Sequence, residues 1–240
     1  MDGRITACIC LFGGAPGNET YGDNKKYCDL HARLLRGLVK TSPHDRIDLR
    51  IGLNAVGYAT IQEIARAAKH INTRVYYPNE NMMKYPRLRQ MIHDDECPVQ
   101  TQWVLVLDDD ADFVHDDWFG QLSEAVDEGL VHGARCFGEK YRYRLSADNL
   151  KWHRSRPWWR GRKLHGLFQT VEFCTGGWWL MKTADLVELD WPDTALYHNG
   201  GDVALGSAMY QREWPLWDCK NLIDVHNTPR RGHSEPHPVA

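Results

Sequence analysis

Asp108, Asp109 and Asp110 follow directly on the apolar run WVLVL, and Asp112 comes two residues later. Adjacent carboxylates repel one another, so aspartates gathered at the end of a buried strand call for a counter-charge, a turn or open solvent. Asp108 and Asp110 lie two apart, which on an extended segment sends both side chains to one side. Two oxygen donors at a strand end suit Mg2+ or Mn2+, ions that also hold substrate phosphates. The plainer reading is a turn punctuated by aspartates. A calcium loop would match Asp108, Asp110 and Asp112, but Phe113 stands where that loop needs glycine and Phe119 where it needs glutamate. A phosphatase with an aspartyl nucleophile is a further rival. It would place the motif on an early strand, followed by a small residue and threonine; here the motif is mid-chain and Ala111-Asp112-Phe113 follows.

The elements that must position these residues alternate. ITACICLF reads as a first strand, and a Gly- and Asn-rich loop follows it. YCDLHARLLRGLV has helical spacing, and RIDLRIGLN alternates Ile47, Leu49, Ile51 and Leu53 as a second strand. ATIQEIARAAKH is a helix, TRVYYP a third strand, Lys84 to His93 a helix and WVLVL a fourth strand. Strands separated by helices predict a mainly parallel sheet covered on both faces, with ligands at the carboxyl ends of its strands. The second half is less regular. SEAVDEGLV predicts a helix, and VEFCTGGWWLMKTADLVEL a strand, a Gly-Gly turn, a short strand and a helix. GGDVALGSAMYQ is a glycine-rich loop opening a helix, and NLIDVHNT a last strand ending in His226.

The 240 residues carry a net charge of −3, unevenly spread. Between Arg135 and His165 ten Lys or Arg face two acids, a local +8 that leaves the remainder at −11. This asymmetry points to an anionic partner. Within it, KWHRSRPWWRGRK interleaves arginines, which neutralise phosphates, with tryptophans, which offer stacking surfaces. The candidates for that surface are Arg154, Arg156, Trp158, Trp159, Arg160 and Arg162; a lid over a bound diphosphate is the plainer reading. Trp178 and Trp179 read as core or sugar-stacking residues. No apolar run is long enough to span a bilayer, and seven cysteines without a CxxC pair suggest a reduced, cytoplasmic protein.

Three segments in order resemble the GT-A fold glycosyltransferases, especially the family-2-like enzymes: WVLVLDDDADF the Asp-x-Asp strand end, TGGWWLMKTADL the Gly-Gly segment, and GGDVALGSAMYQREWP the Gly-Glu-Asp helix start. The resemblance runs from about Ile5 to His226. It implies an α/β fold with a Rossmann-like, mixed but mainly parallel central sheet flanked by helices. It also implies one domain over 1–228, with a nucleotide-binding half at 1–113 and an acceptor half at 114–228. The tail at 229–240 is expected to be disordered.

The roles implied by the resemblance are these. Asp108 faces the ribose and helps hold a divalent metal, Asp110 binds that metal, and His226 completes its site. Asp202 is the general base, although Gly201 stands where the family has Glu; the competing reading of Asp202 is a helix cap. Asn54, where the family often has Asp, meets the nucleotide base. Arg87 and Arg89 lie near the diphosphate, against a reading as solvated helix charges, and Gly176 and Gly177 border the donor. The implied cofactors are Mn2+ or Mg2+ and a nucleotide-sugar, with UDP as the expected nucleotide. The reaction is inverting displacement by an acceptor hydroxyl. The acceptor is expected to be anionic; DNA with a hydroxyl-bearing modified base is one candidate, an acidic glycan or lipid-linked phosphate another. A metal-dependent phosphohydrolase and a non-catalytic nucleic-acid-binding domain remain the alternatives.

Overall fold

Strand β1 (Ile5–Phe12) leads through α1 (Lys25–Thr41), β2 (Ile47–Asn54), α2 (Tyr58–Ala67), β3 (Asn72–Tyr76) and α3 (Lys84–Ile92) to β4 (Trp103–Leu107). Then come β5 (Ala111–Asp112), α4 (Trp118–Val131), β6 (Cys136–Arg144), α5 (Ala147–Arg154) and β7 (Thr170–Lys182). The chain ends with α6 (Thr183–Leu189), α7 (Gly201–Gln211), β8 (Leu216–Asp218) and β9 (Asp224–Val225). This is a computed structural model, and it describes residues 3–13, 25–80, 82–113, 115–164, 169–197 and 199–225. His226 and the tail expected at 229–240 lie outside the described residues.

Seven strands form one sheet in the order β3-β2-β1-β4-β7-β6-β8. β1 pairs in parallel with β2 and β4, β2 with β3, and β6 with β8. β7 is antiparallel to both β4 and β6, so it alone runs against the rest. The expected mainly parallel sheet is thus present, with one reversed strand in its middle. Alternation along β4 shows why helices cover both faces. Trp103, Leu105 and Leu107 enter the core built with Leu34 of α1, Ile64 of α2 and Leu122 of α4. Val104 and Val106 enter the core built with Leu88 of α3, Leu186 of α6 and Ala208 of α7. A strand buried on both faces reads as a continuous apolar run, as WVLVL does.

Two expectations are corrected. The Gly-Gly segment is no turn: Gly176 and Gly177 lie inside the continuous strand β7. The glycine serves close approach instead, because a Cβ on Gly177 would meet Val225 Cγ2 at 2.5 Å. Among the described residues the last strand starts later than expected, at Asp224: β9 pairs antiparallel with β5 in a separate small sheet. β6 and α5 run through the basic segment, for which the sequence carried no assignment. Trp178 and Trp179 are core residues, each 1% exposed, on opposite faces of β7. Among the described residues no helix is long and apolar enough to cross a membrane. All seven cysteines are free.

Candidate active site

β1, β2 and β4 end side by side, and the three aspartates follow β4 at that edge. The Asp108 N–H donates to the Gly177 carbonyl at 2.8 Å, which ties the strand end to β7. The Ala111 N–H donates to the Asp108 carbonyl at 3.1 Å, closing a turn. Asp108 to Asp110 are therefore not extended, and the two-apart argument for their pointing one way does not hold. The turn gives the carboxylates different partners. Asp109 Oδ2 accepts from the Phe12 N–H at 3.3 Å and lies 3.5 Å from His31 Nε2. His31 is fully buried and bonds Thr60 Oγ1 through Nδ1 at 2.9 Å, so Asp109 ties the turn to α1 and α2. Asp110 is fully buried, and Asp108 is 8% exposed.

Lys84 Nζ donates to Asp108 Oδ1 at 2.6 Å. The sequence reading missed Lys84. A lysine opening a helix whose first turn holds no acid opposes the helix dipole, but nothing local pairs it with Asp108, 24 positions away. Met83, just before it, has φ 66° and ψ 175°, a region that is essentially glycine's own. Tyr85 follows, 4% exposed and edge-on to Trp191. A Cβ on Gly201 would lie 2.6 Å from Tyr85 Oη and closer still to the ring. That packing leaves no room for a side chain at 201. The Asp202 N–H donates to Tyr85, and burial pushes the Tyr85 phenol well above its ordinary range. Lys84 opposes that rise, and the carboxylates of Asp202 and Asp108 add to it. Lys84, Tyr85, Asp108 and Asp202 therefore share one electrostatic neighbourhood. Asp202 is not the N-cap of α7, a place taken by Gly200; its Oδ1 accepts from the Val203 N–H at 2.9 Å in the first turn.

Other expected site residues are placed differently. Arg87 is fully buried, and its guanidinium donates to the carbonyls of Leu53 and Pro78, both at 2.7 Å, of Glu80 at 3.3 Å and of Tyr77 at 3.4 Å. Its donors serve the loop after β3 rather than a diphosphate. Arg89 donates to the Pro192 carbonyl at 2.6 Å and to the Asp190 carboxylate at 2.6 Å, which anchors the loop after α6. Asn54 ends β2 as expected, 2% exposed, with its side-chain oxygen accepting from the Met82 N–H at 3.2 Å.

In the basic segment, Trp158 is 4% exposed and packs edge-on to His153, so it is core rather than a stacking platform. Trp159 is half-buried against the same core. Arg156 lies over the Trp152 ring and 3.6 Å from Asp193. Arg162 lies over Tyr210, 3.3 Å from Glu213, and donates to the Tyr210 carbonyl. Arg154 and Arg160 are exposed.

Among the described residues no group of three or more His, Cys, Asp or Glu side chains could hold a metal ion. Asp108 and Asp110 are each buried after the end of β4. Two hard, buried carboxylates are what Mg2+ takes from a protein when substrate phosphates and water complete its shell. The expected third ligand, His226, lies outside the described residues.

The fold matches solved structures. The mannosyltransferase PcManGT from Pyrobaculum calidifontis, in complex with GDP-Man and Mn2+, superposes with a TM-score of 0.61. That match has 16% identity and covers 95% of this chain and 58% of that one. TarS 1-349 of S. aureus matches with a TM-score of 0.57 and 12% identity, over 91% of this chain and 58% of that one. This chain thus spans less than two thirds of either neighbour. No protein-family model and no curated protein matches it. The chain has the GT-A fold of these glycosyltransferases.

Proposed function

We propose that the chain is a metal-dependent glycosyltransferase that moves a sugar from a nucleotide-sugar, UDP-linked by our reading, to a hydroxyl of an anionic acceptor. The observation that carries this is the convergence of Asp108, Lys84, Tyr85 and Asp202 at the carboxyl edge of a GT-A sheet. The nucleotide-sugar and Mn2+ held by the mannosyltransferase support it.

Asp108 and Asp110, with His226, would hold the metal, which when bound supplies positive charge for the departing diphosphate. Asn54 would meet the base at the end of β2. Lys84 keeps the Asp108 carboxylate in place from the start of α3. Asp202, fixed by the first turn of α7 and by Tyr85, accepts the proton of the acceptor hydroxyl at its carboxylate; attack from that side inverts the sugar carbon. Trp159 and the exposed Arg154 and Arg160 present the acceptor surface. DNA with a hydroxyl-bearing modified base is one acceptor to test, an acidic glycan another. Residues 1–228 act as one unit, in the cytoplasm.

The test is a thermal-shift panel of UDP-, GDP- and other nucleotide-sugars with Mn2+ or with chelator. A donor that binds the native state raises the melting temperature by mass action. The reading predicts a metal-dependent shift with one class of nucleotide. Metal-independent binding of nucleic acid with no response to any nucleotide-sugar would favour a binding module.

A further inference from the structure

At the strand edge Lys84 Nζ donates to Asp108 Oδ1 at 2.6 Å. The two side chains are only 17% and 10% exposed, so water screens the pair weakly. Asp108 is also a carboxylate assigned above to the metal. An ammonium and a dication on one carboxylate repel each other strongly in such a setting. A metal arriving alone must displace Lys84 or bind beside it at a cost. A nucleoside diphosphate arriving with its metal brings phosphate oxygens that can take over the ammonium.

Resting on the metal-dependent reading, we infer that Lys84 is a resident cation that couples metal entry to donor entry. It holds Asp108 while the donor is absent and passes to the diphosphate when donor and metal arrive together. The strained Met83 backbone fits such a role, since it sets the start of α3 and so the direction from which Lys84 reaches Asp108. Lys84 is then a donor-contacting residue, and its neighbour Tyr85 a positioning residue for Asp202.

The test is Mn2+ binding, read by electron paramagnetic resonance of free Mn2+ and by calorimetry, with and without UDP or GDP. The proteins are the wild type, Lys84→Met, Lys84→Gln and Lys84→Arg, each checked by circular dichroism. Wild type is expected to bind Mn2+ weakly alone and about tenfold or more tightly with the diphosphate, within the usual range of coupling between sites. The neutral variants should bind Mn2+ alone about tenfold more tightly than wild type and lose most of that coupling, while Lys84→Arg retains it. Normal Mn2+ and diphosphate binding in all four proteins, with unchanged coupling, would overturn the inference and leave the functional reading standing. No Mn2+ binding by wild type even with either diphosphate would overturn both.

Discussion

The ring of Tyr85 fills the space in which a side chain at residue 201 would begin. This contact locks the first residues of α3 against the first residues of α7 and so places Asp202 relative to Lys84 and Asp108. Gly201→Ala should therefore cost about 1–3 kcal/mol, the usual penalty of overpacking. In a Tyr85→Ala background the same change should cost clearly less, since the clash is gone. Denaturant unfolding of the four proteins in the cycle measures the difference; equal costs in both backgrounds would mean that the ring is not the constraint.

Asp202→Asn keeps the size of the side chain and an oxygen for the Val203 N–H, but it cannot accept a proton. Turnover should fall by roughly 10²-fold or more with donor KM nearly unchanged. A variant that retains full turnover would reduce Asp202 to a helix-end residue. Product stereochemistry by NMR checks the same step, because a retained anomeric configuration contradicts direct displacement.

His153 is buried beneath Trp158, with Nδ1 bonded to Ser207 Oγ at 2.7 Å. Burial lowers its pKa from 6.5 to about 4. The unfolded chain therefore takes up this proton first as the pH falls. The stability tied to a neutral His153 is complete above about pH 6.5 and is lost as the pH drops through about 4. The loss should reach about 3 kcal/mol, and His153→Gln should remove that part of the pH dependence. Urea midpoints from pH 7 to pH 4 for both proteins measure it.

Two kinds of arginine should separate in experiment. Arg87→Met should cost at least about 2 kcal/mol, because it strips the donor from carbonyls at the end of β2 and in the loop after β3. Arg154→Glu with Arg160→Glu should leave the melting temperature almost unchanged, yet flatten the dependence of acceptor affinity on salt. Each lost phosphate contact is worth about 0.9 in the slope of log K against log salt on duplex DNA and about 0.7 on single strands. A wild-type slope near zero for DNA, RNA and acidic glycans alike would make the segment a lid over the donor.

The alternation of strand and helix was legible from WVLVL, the continuous apolar run that a sheet covered on both faces imposes, and from the period-two alternation of RIDLRIGLN. The location of the aspartates at a carboxyl edge followed from that. What escaped the sequence depends on contacts between distant residues. Lys84 meets Asp108 across 24 positions, and no local pattern announces the pair. Arg87 looked like a solvated or substrate-facing charge, yet carbonyls left over by the loop after β3 draw it inward. Trp158 sits among arginines, which suggests exposure, but the neighbouring His153 carries it into the core. Gly176 and Gly177 were read as a turn because two glycines punctuate most chains; here Gly177 makes room for Val225.

The central claim is that Asp108 and Asp110 hold a divalent cation against a nucleoside diphosphate. Asp110→Ala tests it most directly, by calorimetric titration of UDP and of GDP in the presence of Mn2+ and in its absence, on folded protein verified by circular dichroism. The account predicts that wild type binds one of the two diphosphates in an Mn2+-dependent way, and that the variant loses this dependence while still melting cooperatively. Mn2+-dependent binding of undiminished affinity in Asp110→Ala would contradict it.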